Sequence, residues 1–336
     1  MSLKTNMQET RNALQVPDYE DVLRARQQIA PYLLRTALHE YPALNELIGT
    51  RVFVKHENHQ PTGAFKVRGG LNLISQLSAD ERARGVVSAS TGNHGQSVAY
   101  AAHLFKVGAR IVVPEKANPG KVASMRGLGA EVIFHGATFD DARAHCEALA
   151  EEHGLRYVHS GNEPLLIAGV ATATAEMLEA EPELEVIIVP VGGGSSAAGA
   201  CIVAREINPK IRVIGVQSDR SSAAHDSWSQ GQLVARPNTT LAEGLATGTA
   251  FILPQTIMWQ CLSDFMLVQD EQILHAMVWL IERAHTLAES AGAASLAAAY
   301  QLRETLRGKK VGLICSGGNA TPEQVQLALA TFTAAS

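Results

Sequence analysis

No run of apolar residues in this sequence is long enough to cross a bilayer, and the opening stretch MSLKTNMQETRN lacks the apolar core of a secretory signal. Both absences argue against a membrane or exported protein and make the cytoplasm the expected location. Cysteine is scarce. Cys146, Cys201, Cys261 and Cys315 stand far apart with no C-x-x-C pair, which removes a disulfide framework and predicts buried free thiols in a reducing compartment. Neither charge sign dominates: 28 Lys plus Arg stand against 33 Asp plus Glu, the net charge is −5, and the signs are mixed along the chain. The electrostatic footprint of a nucleic-acid or anionic-membrane partner is therefore missing. Short repeats and low-complexity segments are also absent, and roughly the first 15 residues read as a loose tail.

What is present is material for a large core. At 336 residues and 46% apolar content, the chain suits two domains or one large α/β unit. From Gly85 onward, β-rich apolar runs alternate with helical patterns. GVVSAS, ARIVVP, AEVIFHG, EVIIVPV and IRVIGVQS read as strands. HGQSVAYAAHLF, PGKVASMRGLG, FDDARAHCEALAEEHG, LLIAGVATATAEMLEA and SSAAGACIVARE read as helices. Continuous apolar strands between helices predict parallel sheets covered on both faces. The alternation is tight from residue 71 to 150, and a second set of strands starts near Val186 and closes with KVGLICSGG. The expected architecture is two open parallel-sheet domains: 1–70 with 151–336 as the larger, 71–150 as a smaller insert, and an active-site cleft between them. Open parallel sheets bind ligands beyond the carboxyl ends of their strands.

Four such strand-end loops carry chemistry. In VPVGGGSSAAGA, Gly192, Gly193 and Gly194 lead into a helix near Ser195. Glycines let the backbone approach a ligand, and the helix start adds free N–H groups and a positive dipole end, which suits a phosphate. The same loop, through Gly192, Gly194 and Ala197 with Asp219 beyond, also satisfies a dinucleotide fingerprint, and taken alone it does not choose between these ligands. SASTGNHGQS sets Ser90, Thr91, Gly92, Asn93 and His94 at a strand-to-helix turn that can hold a carboxylate, or simply cap the helix. LAEGLATG and ICSGGN are the other two loops. His56 and His59 in HENH are three apart, not four as in H-E-x-x-H, and the segment reads as strand, so no metal site is expected.

One feature stands outside the loops. QPTGAFKVRGG places Lys66 between Phe65 and Val67 in a stretch made for tight packing. Val67, Leu71 and Ile74 form a helical core stripe beside it. An amine desolvated among apolar neighbours loses its proton more easily.

Together PTGAFKVRGG, STGNHGQS, VGGGS and SGGN, in this order and spacing, resemble the pyridoxal-phosphate-dependent serine/threonine dehydratase family, which includes serine racemases; the likeness runs from Asp18 to Asn319. It implies fold type II, the tryptophan synthase β-like architecture, with pyridoxal 5'-phosphate as cofactor and a homodimer as the usual assembly. Length resembles that of the catabolic single-module members, without the regulatory region of the biosynthetic ones. Carried onto this sequence, the resemblance makes Lys66 the residue that bonds to the cofactor aldehyde and later removes the substrate α-proton. It puts Gly192, Gly193, Gly194 and Ser195 on the phosphate, Asn93 on the ring hydroxyl, Ser316 on the pyridine nitrogen, and Phe65 and Gly244 beside the ring. Ser90, Thr91, Gly92, Asn93 and His94 would cradle the substrate carboxylate.

The implied activity is elimination of water from a 3-hydroxy amino acid, threonine or serine first, giving a 2-keto acid and ammonia. A racemase is the alternative, as is a dehydratase for a bulkier 3-hydroxy amino acid or a compatible-solute (hydroxyectoine) breakdown intermediate. Three segments depart from the family pattern. Thr91 stands where racemases use a serine as base. Gln217 and Ala223 stand where carboxylates bind a divalent cation, and Gly169-Val170-Ala171-Thr172 replaces a Gly-Gln-Gly-Thr run.

Overall fold

The computed structural model describes residues 15–335; the amino-terminal tail expected from the sequence lies outside them. Ten strands occur among the described residues: β1 (Leu38–Glu40), β2 (Arg51–His56), β3 (Val86–Ala89), β4 (Ala109–Val113), β5 (Glu131–Phe134), β6 (Arg156–Tyr157), β7 (Val186–Pro190), β8 (Arg212–Ser218), β9 (Asp264–Val268) and β10 (Lys310–Cys315). They form a six-stranded sheet of order β1-β2-β10-β7-β8-β9 and a four-stranded sheet of order β5-β4-β3-β6.

Alternation of side chains along a strand explains the unbroken apolar runs. In β7, Val186 and Ile188 enter the core formed with helices Asp270–Ala284 and Ser290–Gln301. Ile187 and Val189 enter the core on the opposite face, with helices Pro164–Ala180 and Ser195–Ile207. The smaller sheet repeats the scheme. Val86, Ile111 and Val113 face helices Lys66–Ser75 and Asn93–Phe105, while Val87, Ala89 and Val112 face helix Phe139–His153.

In three details the structure differs from the expected arrangement. β1 pairs antiparallel with β2, Leu38 opposite Lys55, because only the short helix Pro42–Ile48 joins them and a parallel crossover needs a longer connection. β6 lies beyond residue 150, the boundary expected for the insert, yet pairs with β3 through Val86–Arg156 and Val87–Tyr157. HENH is not a strand: His56 ends β2 and Glu57–His59 form one 3₁₀ turn.

β10, last in sequence, runs parallel between β2 and β7, with Val311 opposite both Val52 and Val186. Three strands far apart in the chain thus end side by side, and their loops converge on one rim of the sheet.

Candidate active site

Lys66 opens the helix Lys66–Ser75, and the backbone before it is clamped to the loop after β10. Ala64 bridges Gly317, the Phe65 N–H donates to the Ser316 carbonyl (3.0 Å), and the Gly318 N–H donates to the Gly63 carbonyl (2.8 Å). The Lys66 amine donates to the Ser160 carbonyl and to Ser195 Oγ, 3.0 Å each, and stands 5.2 Å from the centroid of the Phe65 ring. Although the side chain opens partly to the cleft, protein encloses its amine. That desolvation draws its pKa down to about 8.

Gly192, Gly193 and Gly194 lead from β7 into the helix Ser195–Ile207, with Gly194 in the left-handed region as its cap residue (φ 89°). The first N–H groups of a helix have no partner within it, so this turn presents backbone donors and the Ser195 and Ser196 hydroxyls to the same cleft. Gly244, in the 3₁₀ turn Glu243–Leu245, presses its carbonyl against Gly192 where a Cβ would have to lie.

The loop after β3 forms the opposite wall. Ser90 Oγ accepts from the N–H groups of Gly92 (3.3 Å) and Gly95 (3.0 Å), which leaves its own hydrogen to donate elsewhere. His94 turns its ring away: Nε2–H donates to the Val158 carbonyl (3.2 Å), and burial, helped by Lys66, lowers its pKa to about 3. It is a neutral structural ring, and any contribution to anion binding rests on its backbone.

Asn93 is held at both ends. Its Nδ2 donates to Glu289 (2.6 Å) and its Oδ1 accepts from Asn319 Nδ2 (2.8 Å). Glu289 was invisible to sequence reasoning, since a lone glutamate before AGAASLAAA carries no local signal; burial raises its pKa. Lys121 and Glu243 were missed as well. They reach across the mouth from opposite sides and form an ion pair. Asn319 ends the quoted SGGN motif, and its role became visible only in three dimensions.

These groups line one cavity of about 340 Å³, within the ~300–1,000 Å³ span of small-molecule sites. It brings together Phe65, Lys66, Ser90 to His94, the three glycines, Ser195, Gly244 and Ser316. Every site residue named from the sequence therefore borders one space. Its donor set fits pyridoxal phosphate: an enclosed amine for the aldehyde, a helix start without lysine or arginine for the phosphate, and a short hydroxyl opposite. Gln217 donates to Thr247 (3.4 Å) and accepts from the His225 N–H (3.1 Å).

Over most of its length the chain is similar to known proteins. The chain is 38% identical over 301 residues to the L-threonine ammonia-lyase of Thermotoga maritima, covering 89% of this chain and 75% of that protein. It is 36% identical over 306 residues to the L-threo-3-hydroxyaspartate ammonia-lyase of Saccharomyces cerevisiae, covering 90% and 94%. Among solved structures, the serine racemase of Dictyostelium discoideum superposes with a TM-score of 0.86 at 34% identity, over 91% of this chain and 99% of that one. Residues 29–317 match the family model described as pyridoxal-phosphate dependent enzyme. By the family model and by these relatives alike, the chain belongs to the pyridoxal-phosphate-dependent enzyme family.

Proposed function

We propose that this enzyme is an ammonia-lyase that removes water from a 3-hydroxy amino acid, with L-threonine and L-serine as first substrates, and releases a 2-keto acid and ammonia. The water lost at the β-carbon is regained when the nitrogen leaves, so the net reaction is amino acid to keto acid plus ammonia. Bound pyridoxal phosphate supplies the electron sink that makes the substrate α-hydrogen acidic.

Protein groups do the rest. Lys66 provides the amine that anchors the cofactor and, once displaced by the substrate amine, takes the α-proton at Nζ. A pKa near 8 puts that nitrogen close to the ambient range, where proton transfer is most effective. Ser195 Oγ and the Ser160 carbonyl, 3.0 Å away, hold it in place. The free hydrogen of Ser90 and the first N–H groups of helix Asn93–Phe105 bind the substrate carboxylate. Ser316, 4% exposed, would meet the ring nitrogen with a hydroxyl, which is too weak an acid to protonate it. A ring left unprotonated would draw electrons less strongly than one beside an aspartate, so loss of the β-hydroxyl would compete better with return of the α-proton. The single observation that carries this reading is the enclosed Lys66 amine facing the Gly192–Ser195 turn.

Resemblance to the family supports a homodimer, and buried or half-buried free thiols suit a cytoplasmic enzyme. Among the described residues no helix is long and apolar enough to cross a membrane.

A panel of 3-hydroxy amino acids, including 3-hydroxyaspartate, assayed together for keto acid, ammonia and inverted enantiomer, tests the assignment. Keto acid and ammonia in equal amounts are expected. Inverted enantiomer with little keto acid would instead identify a racemase. Borohydride reduction of the cofactor-loaded protein should label Lys66, and Lys66→Ala should lose both that label and at least ~10²-fold in turnover.

A further inference from the structure

We propose that Glu289 and Asn319 are positioning residues that fix the polarity of the Asn93 side-chain amide, so that the cleft meets the cofactor with an N–H donor at that point. The inference rests on the reading above in which Asn93 faces the ring hydroxyl.

The order of donors begins in the main chain. A backbone carbonyl only accepts, so the Asn319 atom 2.9 Å from the Thr62 oxygen is the amide nitrogen. That nitrogen also lies 2.8 Å from Asn93, whose atom there must be the oxygen. The Asn93 nitrogen is therefore the atom 2.6 Å from Glu289, to which it donates. An amide nitrogen carries two hydrogens. One is committed to Glu289 and the other is left for a ligand. Turning the Asn93 amide over would set nitrogen against nitrogen and oxygen against carboxylate, losing both bonds at once.

The surroundings leave little slack. Glu289 is 7% exposed, and its N–H donates to the Gly317 carbonyl (3.0 Å). A Cβ on Gly317 would meet Glu289 Oε1 at 2.5 Å and Asn93 Nδ2 at 3.2 Å, so the carboxylate, the amide and the loop carrying Ser316 interlock. The charged groups facing Glu289 are Lys121, which favours its anion, and Glu243, which opposes it. A fixed N–H donor stabilises a ring oxyanion more than a ring hydroxyl, and Glu289 thereby acts on the cofactor without touching it.

The test uses cofactor-loaded enzyme and two readings besides activity: the pH midpoint of the cofactor absorbance change, and the cofactor dissociation constant from fluorescence. Glu289→Ala should weaken cofactor binding about tenfold, the value of one buried hydrogen bond. It should also raise the pH midpoint by roughly one unit, because the oxyanion loses its oriented donor. Glu289→Gln keeps an acceptor oxygen for Asn93 and should stay within about threefold of the parent, since polarity rather than charge is what it must supply. In an Asn93→Ala background, Glu289→Ala should add less than about a twofold change, as residues acting through one another are non-additive. An unchanged midpoint in Glu289→Ala, or its full effect persisting without Asn93, overturns the proposal. If Glu289→Ala does not fold, Asn319→Ala takes its place, with a shift in the same direction expected and an unshifted midpoint refuting it. Parent enzyme that borohydride cannot label at Lys66 overturns the reading of the site and this inference with it, whereas labelled parent with unshifted variants overturns the inference alone.

Discussion

An ammonium ion surrounded by protein is less stable than the same ion in water, and Lys66 shows the consequence at the scale of one residue. Its lowered pKa of about 8 means that the neutral, nucleophilic form dominates above that value. An unperturbed lysine would reach the same state only near 10.4. The rate at which cofactor-free enzyme takes up pyridoxal phosphate should therefore rise about tenfold per pH unit below 8 and level off above it. Stopped-flow absorbance measures this, and a rate still climbing steeply beyond pH 9 would contradict it. Ser316 supports the complementary prediction. Ser316→Asp brings a carboxylate to the ring nitrogen and favours its protonated form, so elimination should slow by roughly 10-fold or more while α-proton exchange persists. Unchanged keto-acid formation would refute the role given to this serine.

Elements place those residues, and one buried cluster fixes the helix that carries Lys66. Arg68, 1% exposed, donates to Glu57 through Nε (2.7 Å) and Nη2 (2.8 Å), and to Glu176 through Nη1 (2.7 Å) and Nη2 (2.8 Å). Lys55 adds a bond to Glu176 (2.6 Å). Two cations and two anions from β2, the 3₁₀ turn, helix Lys66–Ser75 and helix Pro164–Ala180 thus neutralise one another in the interior. Burial alone would raise the pKa of Glu57. The charge and hydrogen bonds of Arg68 outweigh it and hold that pKa below the ordinary carboxylate value. A depressed carboxylate pKa adds stability above the unfolded-state value and loses it as pH falls through the folded-state value. The parent protein should accordingly weaken in acid below pH ~4.3. Arg68→Ala should cost about 3–5 kcal/mol at neutral pH, because it leaves buried carboxylates uncompensated. Its deficit should shrink on mild acidification, when the Glu57 carboxylate, no longer held by Arg68, takes up a proton. Urea unfolding at several pH values checks both; a deficit independent of pH would speak against the charge account.

At the scale of the whole molecule, the cleft is closed by groups from both sheets. Lys121, near the start of helix Pro119–Gly127 beside the smaller sheet, pairs with Glu243, in the 3₁₀ turn that abuts the glycine loop of the larger. The lysine is 10% exposed and the glutamate 47%, so the pair is partly screened and worth no more than ~1 kcal/mol. Glu243→Gln should change substrate KM by at most about fivefold and reduce the sensitivity of KM to salt, with little effect on melting temperature. A change in kcat alone would show that the pair serves chemistry rather than access to the cleft.

The sequence alone settled what local pattern and motif can settle. The alternating apolar strands and helices from Gly85 to Ser218, the glycine turn at Gly192, and a lysine set between Phe65 and Val67 all follow from short-range rules of backbone geometry and desolvation. Between residues 220 and 309 the signal faded, because Asp264–Val268 is only partly buried and Ser290–Gln301 is almost all small residues without amphipathic contrast. Tertiary structure decided the rest. Only the insertion of β10 between β2 and β7 brings Ser316 to Phe65 and Lys66. Only the meeting of three loops gives Asn93 its partners Asn319 and Glu289, 226 and 196 residues away. Pairings at such separation are set by sheet order and core packing, which no local pattern encodes.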